Sequence, residues 1–320
     1  MNFPSNPSRP PVTLKTRIEQ KSSQTLLEFL CNRFSYHNED EWIDRIQNGQ
    51  VLVNDHASSK DQPLRQGDEI AYTTEAWDEP EVNTNYRIVC EDDELLVISK
   101  PAPLPVHAIG VYFQNTLMHL LRQARPEAEN FQLVHRLDSE TSGLLLLVKD
   151  KRHLKTLQRQ WESGEVQKTY QAIVFGHFHP AEQKCELPIG SLKGSAIRMK
   201  LGIDKAEGKS STTDFKILET KGGFSLVEAK PRTGRTHQIR VHLENLGFPI
   251  VGDKLYSGSD ETFLKFIGEG WSDWLQEKVL LKRSALHALR LEFTHPVKGN
   301  RMMLEDPLPE DLGSFWKGLK

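Results

Sequence analysis

One decapeptide concentrates groups able to do chemistry. Val134-His135-Arg136-Leu137-Asp138-Ser139-Glu140-Thr141-Ser142-Gly143 lies between two apolar runs, so its polar residues sit on a turn displayed at a strand edge, with Asp138 at the tip. A carboxylate shown in this way acts on a substrate as nucleophile or base, or it starts the turn by bonding its own backbone. Spacing alone leaves both readings open. Arg136, two residues before it, carries a guanidinium that can stack on a base and bind a phosphate. Two further stretches are dense in polar groups: Lys168-Thr169-Tyr170 and Gly234-Arg235-Thr236-His237-Gln238-Ile239-Arg240-Val241-His242.

The elements that must hold these groups are short. Gly143 to Val148 has the length of a buried strand, and the apolar spacing predicts helices over Thr116 to Arg125 and His153 to Ser163. Thr169 to Phe175, Gly223 to Ala229 and Leu289 to Phe293 are expected as strands. Thr236 to Leu246 reads as a helix capped by Thr236 and stopped by Gly247, with Ile239, Leu243 and Leu246 on one face. Arg240 lies off that face. The elements do not alternate as βαβ units would, so the expected class is α+β with a mixed, mainly antiparallel sheet.

The first third of the chain differs in character. Residues 1–85 carry 8 Lys and Arg against 14 Asp and Glu, and the remainder carries 33 against 30. With a net charge of -3, any polyanion must be met by local basic clusters in the larger part. Met1 to Thr13 is expected as a disordered tail, residues 14–74 as a small domain, Glu75 to Asn85 as a linker, residues 86–312 as the main domain and residues 313–320 as a C-terminal tail. Helix, helix and a hairpin over Val51-Leu52-Val53 and Leu64 to Ile70 resemble the RNA-binding fold of the ribosomal-protein-S-four type. Glu39, Asp40, Glu41 and Asp44 occupy its second helix, where that family places basic residues.

No apolar run reaches the ~18 residues of a membrane span, and the N-terminus lacks a secretory apolar core. A cytoplasmic, monomeric protein is expected. Cys31, Cys90 and Cys185 form neither a CxxC pair nor an even-numbered framework and are expected as neutral thiols.

The decapeptide with its leucine run resembles the signature of the RluA family of pseudouridine synthases. Tyr86 to His107, Lys168-Thr169-Tyr170, Gly234 to His242, Val251-Gly252-Asp253-Lys254-Leu255-Tyr256 and Leu286-His287-Ala288 match further blocks of that family, in order, from Tyr86 to Pro309. One departure is Ala102-Pro103, where the family usually has Ala-Gly. The resemblance implies an isomerase acting on uridines of structured RNA, ribosomal RNA ahead of transfer RNA, without cofactor or metal. It implies Asp138 as the catalytic carboxylate, Arg240 as the cation that keeps it ionised, and Tyr170 as a ring against the uracil whose hydroxyl handles the proton from carbon five. Arg136 is implied to fill the gap left by a flipped base. His135, Lys168, Arg235 and His237 are expected to contact RNA, and the loop Lys193 to Ser211 is expected to be flexible and to close on it.

Three rivals remain. Twelve histidines suggest a metal enzyme, but His237 and His242 are five apart and no HExxH pattern exists. A glycosidase would need a second carboxylate, for which Glu140 is the nearest. The last is a non-catalytic RNA-binding protein on the same fold.

Overall fold

The computed structural model describes residues 11–19, 23–34, 37–74 and 79–320. Met1 to Pro10 of the expected tail and Glu75 to Asp78 of the expected linker lie outside the described residues. The chain divides into two compact units, Met1–Pro80 with Ile109–Phe113, and Glu81–Ala108 with Gln114–Lys320.

In the first unit the order is β1 (Thr13–Arg17), α1 (Leu26–Arg33), α2 (Glu39–Gln47), β2 (Val51–Val53), β3 (His56–Ala57) and β4 (Glu69–Thr73). The strands form an antiparallel sheet in the order β1-β4-β2-β3. Both helices begin in capping boxes, Thr25 with Glu28 and Asn38 with Glu41, which satisfy backbone donors that would otherwise be orphaned. The acidic first turn of α2 suits the positive end of its dipole. Leu26, Leu30, Trp42, Val51 and Ile70 close a small core. Thr13, assigned from sequence to a tail, instead starts β1. No residue of that strand is buried, so it carries little apolar alternation to read.

The second unit runs β5 (Arg87–Glu91), β6 (Leu95–Lys100), α3 (Leu117–Ala124), β7 (Gln132–Leu133), β8 (Ser142–Val148), α4 (Lys151–Glu162), β9 (Gln167–Phe175), β10 (Glu182–Cys185), β11 (Ile189–Ser191) and β12 (Leu201–Ile203). It continues with β13 (Thr213–Lys221), β14 (Phe224–Pro231), α5 (Gln238–Asn245), α6 (Asp260–Glu269), α7 (Asp273–Val279), β15 (Leu286–Thr294), β16 (Arg301–Glu305) and α8 (Glu310–Gly318). One large sheet has the order β10-β13-β14-β9-β15-β8-β6-β5, with β16 on β15 and β7 on β8. Among the described residues β8 and β15 are the one pair of strands that run parallel. The fold is α+β, mixed and mainly antiparallel.

The leucine run of β8 follows from burial on both faces. Leu145 and Leu147 pack with Leu96, Leu104 and Leu117 on one side, while Leu144, Leu146 and Val148 pack with Leu157, Leu291 and Phe293 on the other. Each such leucine stabilises the fold by ~2 kcal/mol relative to exposure. This rigid central strand delivers the Asp138 turn at its N-terminal end.

Three differences from the sequence reading concern the ends of elements. The assigned C-terminal tail is largely helix α8, whose Leu312 and Trp316 are buried against β-sheet residues. Thr236 caps nothing: α5 starts at Gln238, and its N-cap is His237 in a left-handed conformation with φ 57°. Gln238 organises that turn, since its side-chain oxygen accepts from Thr233 Oγ1 and Arg235 N, and its amide donates to Thr212 O and Thr213 Oγ1. The loop Lys193 to Ser211 contains β12 and is pinned, with Asp260 accepting from Ser195 Oγ, Ala196 N and Lys200 Nζ at 2.7, 3.0 and 2.9 Å. Composition alone suggested mobility there. Among the described residues no helix is long and apolar enough to cross a membrane.

Candidate active site

The turn carrying Asp138 is fastened at several points. Leu137 is buried among Leu104, Leu117 and Leu145, and Thr141 N donates to Asp138 O at 3.1 Å. Ser139 O accepts from Leu104 N at 2.8 Å and from Lys100 Nζ at 3.2 Å. Glu140 accepts from Ser284 N at 3.0 Å and pairs with buried Lys254 at 2.5 Å. A structural pairing of this kind leaves Glu140 unsuited to act as a second catalytic carboxylate.

Asp138 and Arg240 come together. Arg240 Nη1 donates to Asp138 Oδ2 at 2.8 Å, while its Nε and Nη2 donate to the two carboxylate oxygens of Asp253 at 2.6 and 3.0 Å. The fork is thus used as a bidentate clamp on one side and a single contact on the other. Asp253 is wholly buried, whereas the Asp138 side chain is 30 % exposed. Burial pushes the Asp138 carboxyl up, but Arg240 first, then His237 and Lys100, more than offset this and leave it below the usual carboxylate value. Arg240 is held well above its ordinary value, because the two carboxylates outweigh the burial that lowers it. Among the described residues Arg240 forms its ion pairs with Asp138 and Asp253 and not with Glu244, four residues along the same helix.

Tyr170 stands on β9 and packs against both hydrophobic layers, one around Ile239 and Leu286 and one around Leu104 and Leu137. Burial and the Asp138 charge raise its phenol, so at neutral pH it is an O–H donor and an aromatic wall, and a phenolate base is disfavoured. That narrows the proton role that the resemblance implies.

The residues expected to meet RNA separate into two groups. Arg136 is exposed, with Nη1 3.4 Å from His107 Nε2, and Arg235 is exposed, with Nε donating to Ser210 O at 3.1 Å. His135 and Lys168 are instead walls. His135 stacks on Trp161 with centroids 4.5 Å apart, its Nε2 accepts from Leu146 N, and burial pushes its imidazole down to about 3. Lys168 is 8 % exposed, lies over Trp161 and donates to Thr233 O at 3.0 Å; burial lowers its ammonium to about 8. Lys168 is spent on the turn before α5 through Thr233, whereas half-buried His135 is spent on β8 and the Trp161 ring. His237 stays in the site, with Nε2 4.0 Å from Asp138 Oδ2. His242 is buried and bonds Ser211 and Thr213.

Sequence reading missed Asp253, Tyr256 and Lys100. The first two lie in the block Val251 to Tyr256, which was matched as a motif without roles. A Gly-Asp turn beside an orphan helix arginine was the available signal. Lys100 is fully buried and donates to Pro101 O, Leu104 O and Ser139 O at 3.0, 2.8 and 3.2 Å. Burial lowers its ammonium to about 7, while the Asp138 charge works against that shift. Among the described residues one three-residue group has metal-ligand character, Asp92, Glu94 and His295. Lys298 Nζ sits 2.6 Å from Asp92 Oδ2, and the group shares no residue with the contacts of Asp138. The Ala102–Pro103 peptide is cis.

The family model for RNA pseudouridylate synthase matches residues 94–245, which span the decapeptide, Tyr170 and Arg240. The chain is 35 % identical over 275 residues to the ribosomal large subunit pseudouridine synthase D of Neisseria meningitidis serogroup A, covering 83 % of this chain and 71 % of that one. The chain belongs to the RNA pseudouridylate synthase family. It is therefore an isomerase that acts on RNA. The mitochondrial tRNA pseudouridine(32) synthase of Saccharomyces cerevisiae is 32 % identical over 253 residues, covering 79 % of this chain and 54 % of that one. Among solved structures, human RNA pseudouridylate synthase domain containing 1 superposes with a TM-score of 0.56 at 29 % identity, covering 72 % of this chain and 86 % of that one.

Proposed function

We propose that this synthase isomerises uridine in ribosomal RNA, as a monomer in the cytoplasm, with Asp138 as the reacting carboxylate. The observation that carries the reading is the Arg240 bridge, which joins Asp138 to wholly buried Asp253 and keeps Asp138 anionic in a partly closed site. Asp138 acts at the ribose of the target nucleotide while the N-glycosidic bond breaks. The detached uracil turns and rejoins ribose through carbon five, a rearrangement with no net oxidation, so nothing in the reaction demands a cofactor. Tyr170 forms a wall for the uracil, which must stay in place while it turns. Exposed Arg136 occupies the space vacated by the flipped nucleotide, and Arg235 engages phosphate. Ribosomal RNA is favoured because the relative that the chain covers more fully is a ribosomal large subunit enzyme.

Tritium release from RNA labelled at uracil carbon five tests the chemistry. Wild type is expected to release label and Asp138→Ala to release none; equal release by both overturns the assignment. Mapping pseudouridines in cells lacking the gene tests the substrate: a site lost from large-subunit ribosomal RNA supports it, and a site lost only from transfer RNA refutes it.

A further inference from the structure

His237 is the non-glycine residue beside Asp138 with a left-handed backbone, φ 57°. Strain of this kind persists where the surroundings over-determine it, and it commonly aims a side chain. The aim is set by Tyr256. The Tyr256 hydroxyl oxygen accepts from Leu201 N at 3.1 Å and lies 2.9 Å from His237 Nδ1. With one lone pair of that oxygen taken by Leu201, the phenolic proton finds its acceptor in His237 Nδ1. A phenol that donates to Nδ1 leaves the imidazole proton on Nε2, the nitrogen 4.0 Å from Asp138 Oδ2. Arg240 lies 4.9 Å over the face of the Tyr256 ring, so the same phenol is braced by the cation that holds Asp138.

The distance from His237 Nε2 to Asp138 Oδ2 is 4.0 Å, too long for a hydrogen bond between them. An oxygen placed about 2.8 Å from each completes a triangle with normal hydrogen-bond lengths. Such an oxygen must accept from the imidazole N–H and donate to a carboxylate, as a water or a hydroxyl does; among a nucleotide's own oxygens that leaves a hydroxyl, because a uracil carbonyl accepts only. Inside an RNA chain the 3′ and 5′ oxygens are esterified, and the 2′-hydroxyl is the only free hydroxyl on the ribose. We propose that the gap between His237 Nε2 and Asp138 Oδ2 receives the 2′-hydroxyl of the target nucleotide, with Tyr256 as the positioning residue that keeps the His237 N–H turned toward it. This rests on the reading of Asp138 as the carboxylate that acts at the ribose. The pair then distinguishes RNA from DNA at the reacting nucleotide itself.

Two measurements test it. Spectra of the 15N-histidine-labelled protein report the tautomer without RNA: a bare Nδ1 and a protonated Nε2 at His237 are expected, with mixed tautomers in Tyr256→Phe. A proton on Nδ1 in the wild type overturns the proposal. The second uses a short RNA spanning the uridine mapped as the site of modification, and the same oligonucleotide with 2′-deoxyuridine at that position as a competitor. Wild type is expected to bind the deoxy competitor about tenfold more weakly than its ribo substrate, and His237→Gln and Tyr256→Phe to lose most of that discrimination. Discrimination unchanged in both variants overturns the subsite, and so does its absence in the wild type. If wild type forms no pseudouridine in the ribo oligonucleotide, it is the broader functional reading that fails, and the tautomer spectrum still decides this one.

Discussion

Asp253 holds Arg240 with both carboxylate oxygens, leaving one Nη1 donor of the guanidinium for Asp138 at 2.8 Å. A fixed arginine suits the role proposed for Asp138, since a wandering cation would swing away when RNA enters. Replacing Asp253 by Asn keeps the shape but removes the charge and one acceptor, so Arg240 loses its orientation. We expect Asp253→Asn to lower kcat by about 10- to 100-fold, a typical loss for an outer partner of a site residue. KM for RNA is expected to change little. Steady-state kinetics would separate the two, and a variant altered only in KM would assign Asp253 to binding.

Arg240→Lys tests geometry against charge. Lysine carries the same charge on a single nitrogen and cannot bridge Asp138 and Asp253 with a rigid fork. A fall in kcat of about 100-fold is expected, with Asp138 titrating at higher pH than in the wild type as its partner becomes less constraining. Because stabilisation of the anion is lost from the acid side, the ascending limb of the pH–rate profile should shift upward. An unshifted limb with normal kcat would show that charge alone suffices.

Much of this arrangement was legible in the sequence, for identifiable reasons. The class of sheet followed from strand-like runs without βαβ alternation, while Asp138 was singled out by the resemblance of its decapeptide, its position between two apolar runs leaving a simple turn equally open. Arg240 was singled out by the same resemblance, and its place off the apolar face of its helix agreed with it. Asp253 was not, because its partner is thirteen residues away across a turn and nothing local in Val251 to Tyr256 requires a buried acid. Lys100 was invisible for a similar reason: its three acceptors are backbone carbonyls, which leave no mark on side-chain pattern. That Lys168 is buried against Thr233 and Trp161, and His135 half-buried on Trp161, was not legible, since polarity in a motif does not report burial. Helix α8 and strand β1 were overlooked because one was short and terminal and the other half-exposed.

Lys100 makes a prediction about stability and pH. Its folded value of about 7 lies below the ordinary 10.5, so the unfolded chain binds the extra proton between those limits. Stability should therefore rise with pH from about 7 to about 10, the lysine charge being a constant burden below that window and absent above it. Lys168, lowered to about 8, contributes with the same sign over a narrower range. In Lys100→Met the steeper part of this rise should disappear, which a comparison of urea midpoints for the two proteins from pH 6 to 10 would reveal. Parallel curves would mean that Lys100 is charged in the folded state throughout.

Gly143 ties the Asp138 turn to the sheet at a position no side chain fits. It adopts φ 113°, and a Cβ built there would lie 2.3 Å from Ala288 O and 2.6 Å from Ala288 N. Those are backbone atoms of β15, the strand that β8 meets in parallel through Ser142–His287 and Gly143–Ala288. Gly143→Ala must then push the two strands apart at the point where Asp138 is delivered. A loss of about 3 kcal/mol or more is expected from the overlap and the unfavourable φ together. The damage should spread along a specific route, because Ser142 Oγ bonds His287 Nδ1 at 2.9 Å and His287 Nε2 donates to Asp306 O at 2.7 Å. Hydrogen exchange should therefore speed up first at residues 141–144 and 286–289, with the small first unit unaffected. Normal exchange in both strands of Gly143→Ala would show that the sheet accommodates the methyl group, and that the fit of β8 against β15 does not fix the position of Asp138.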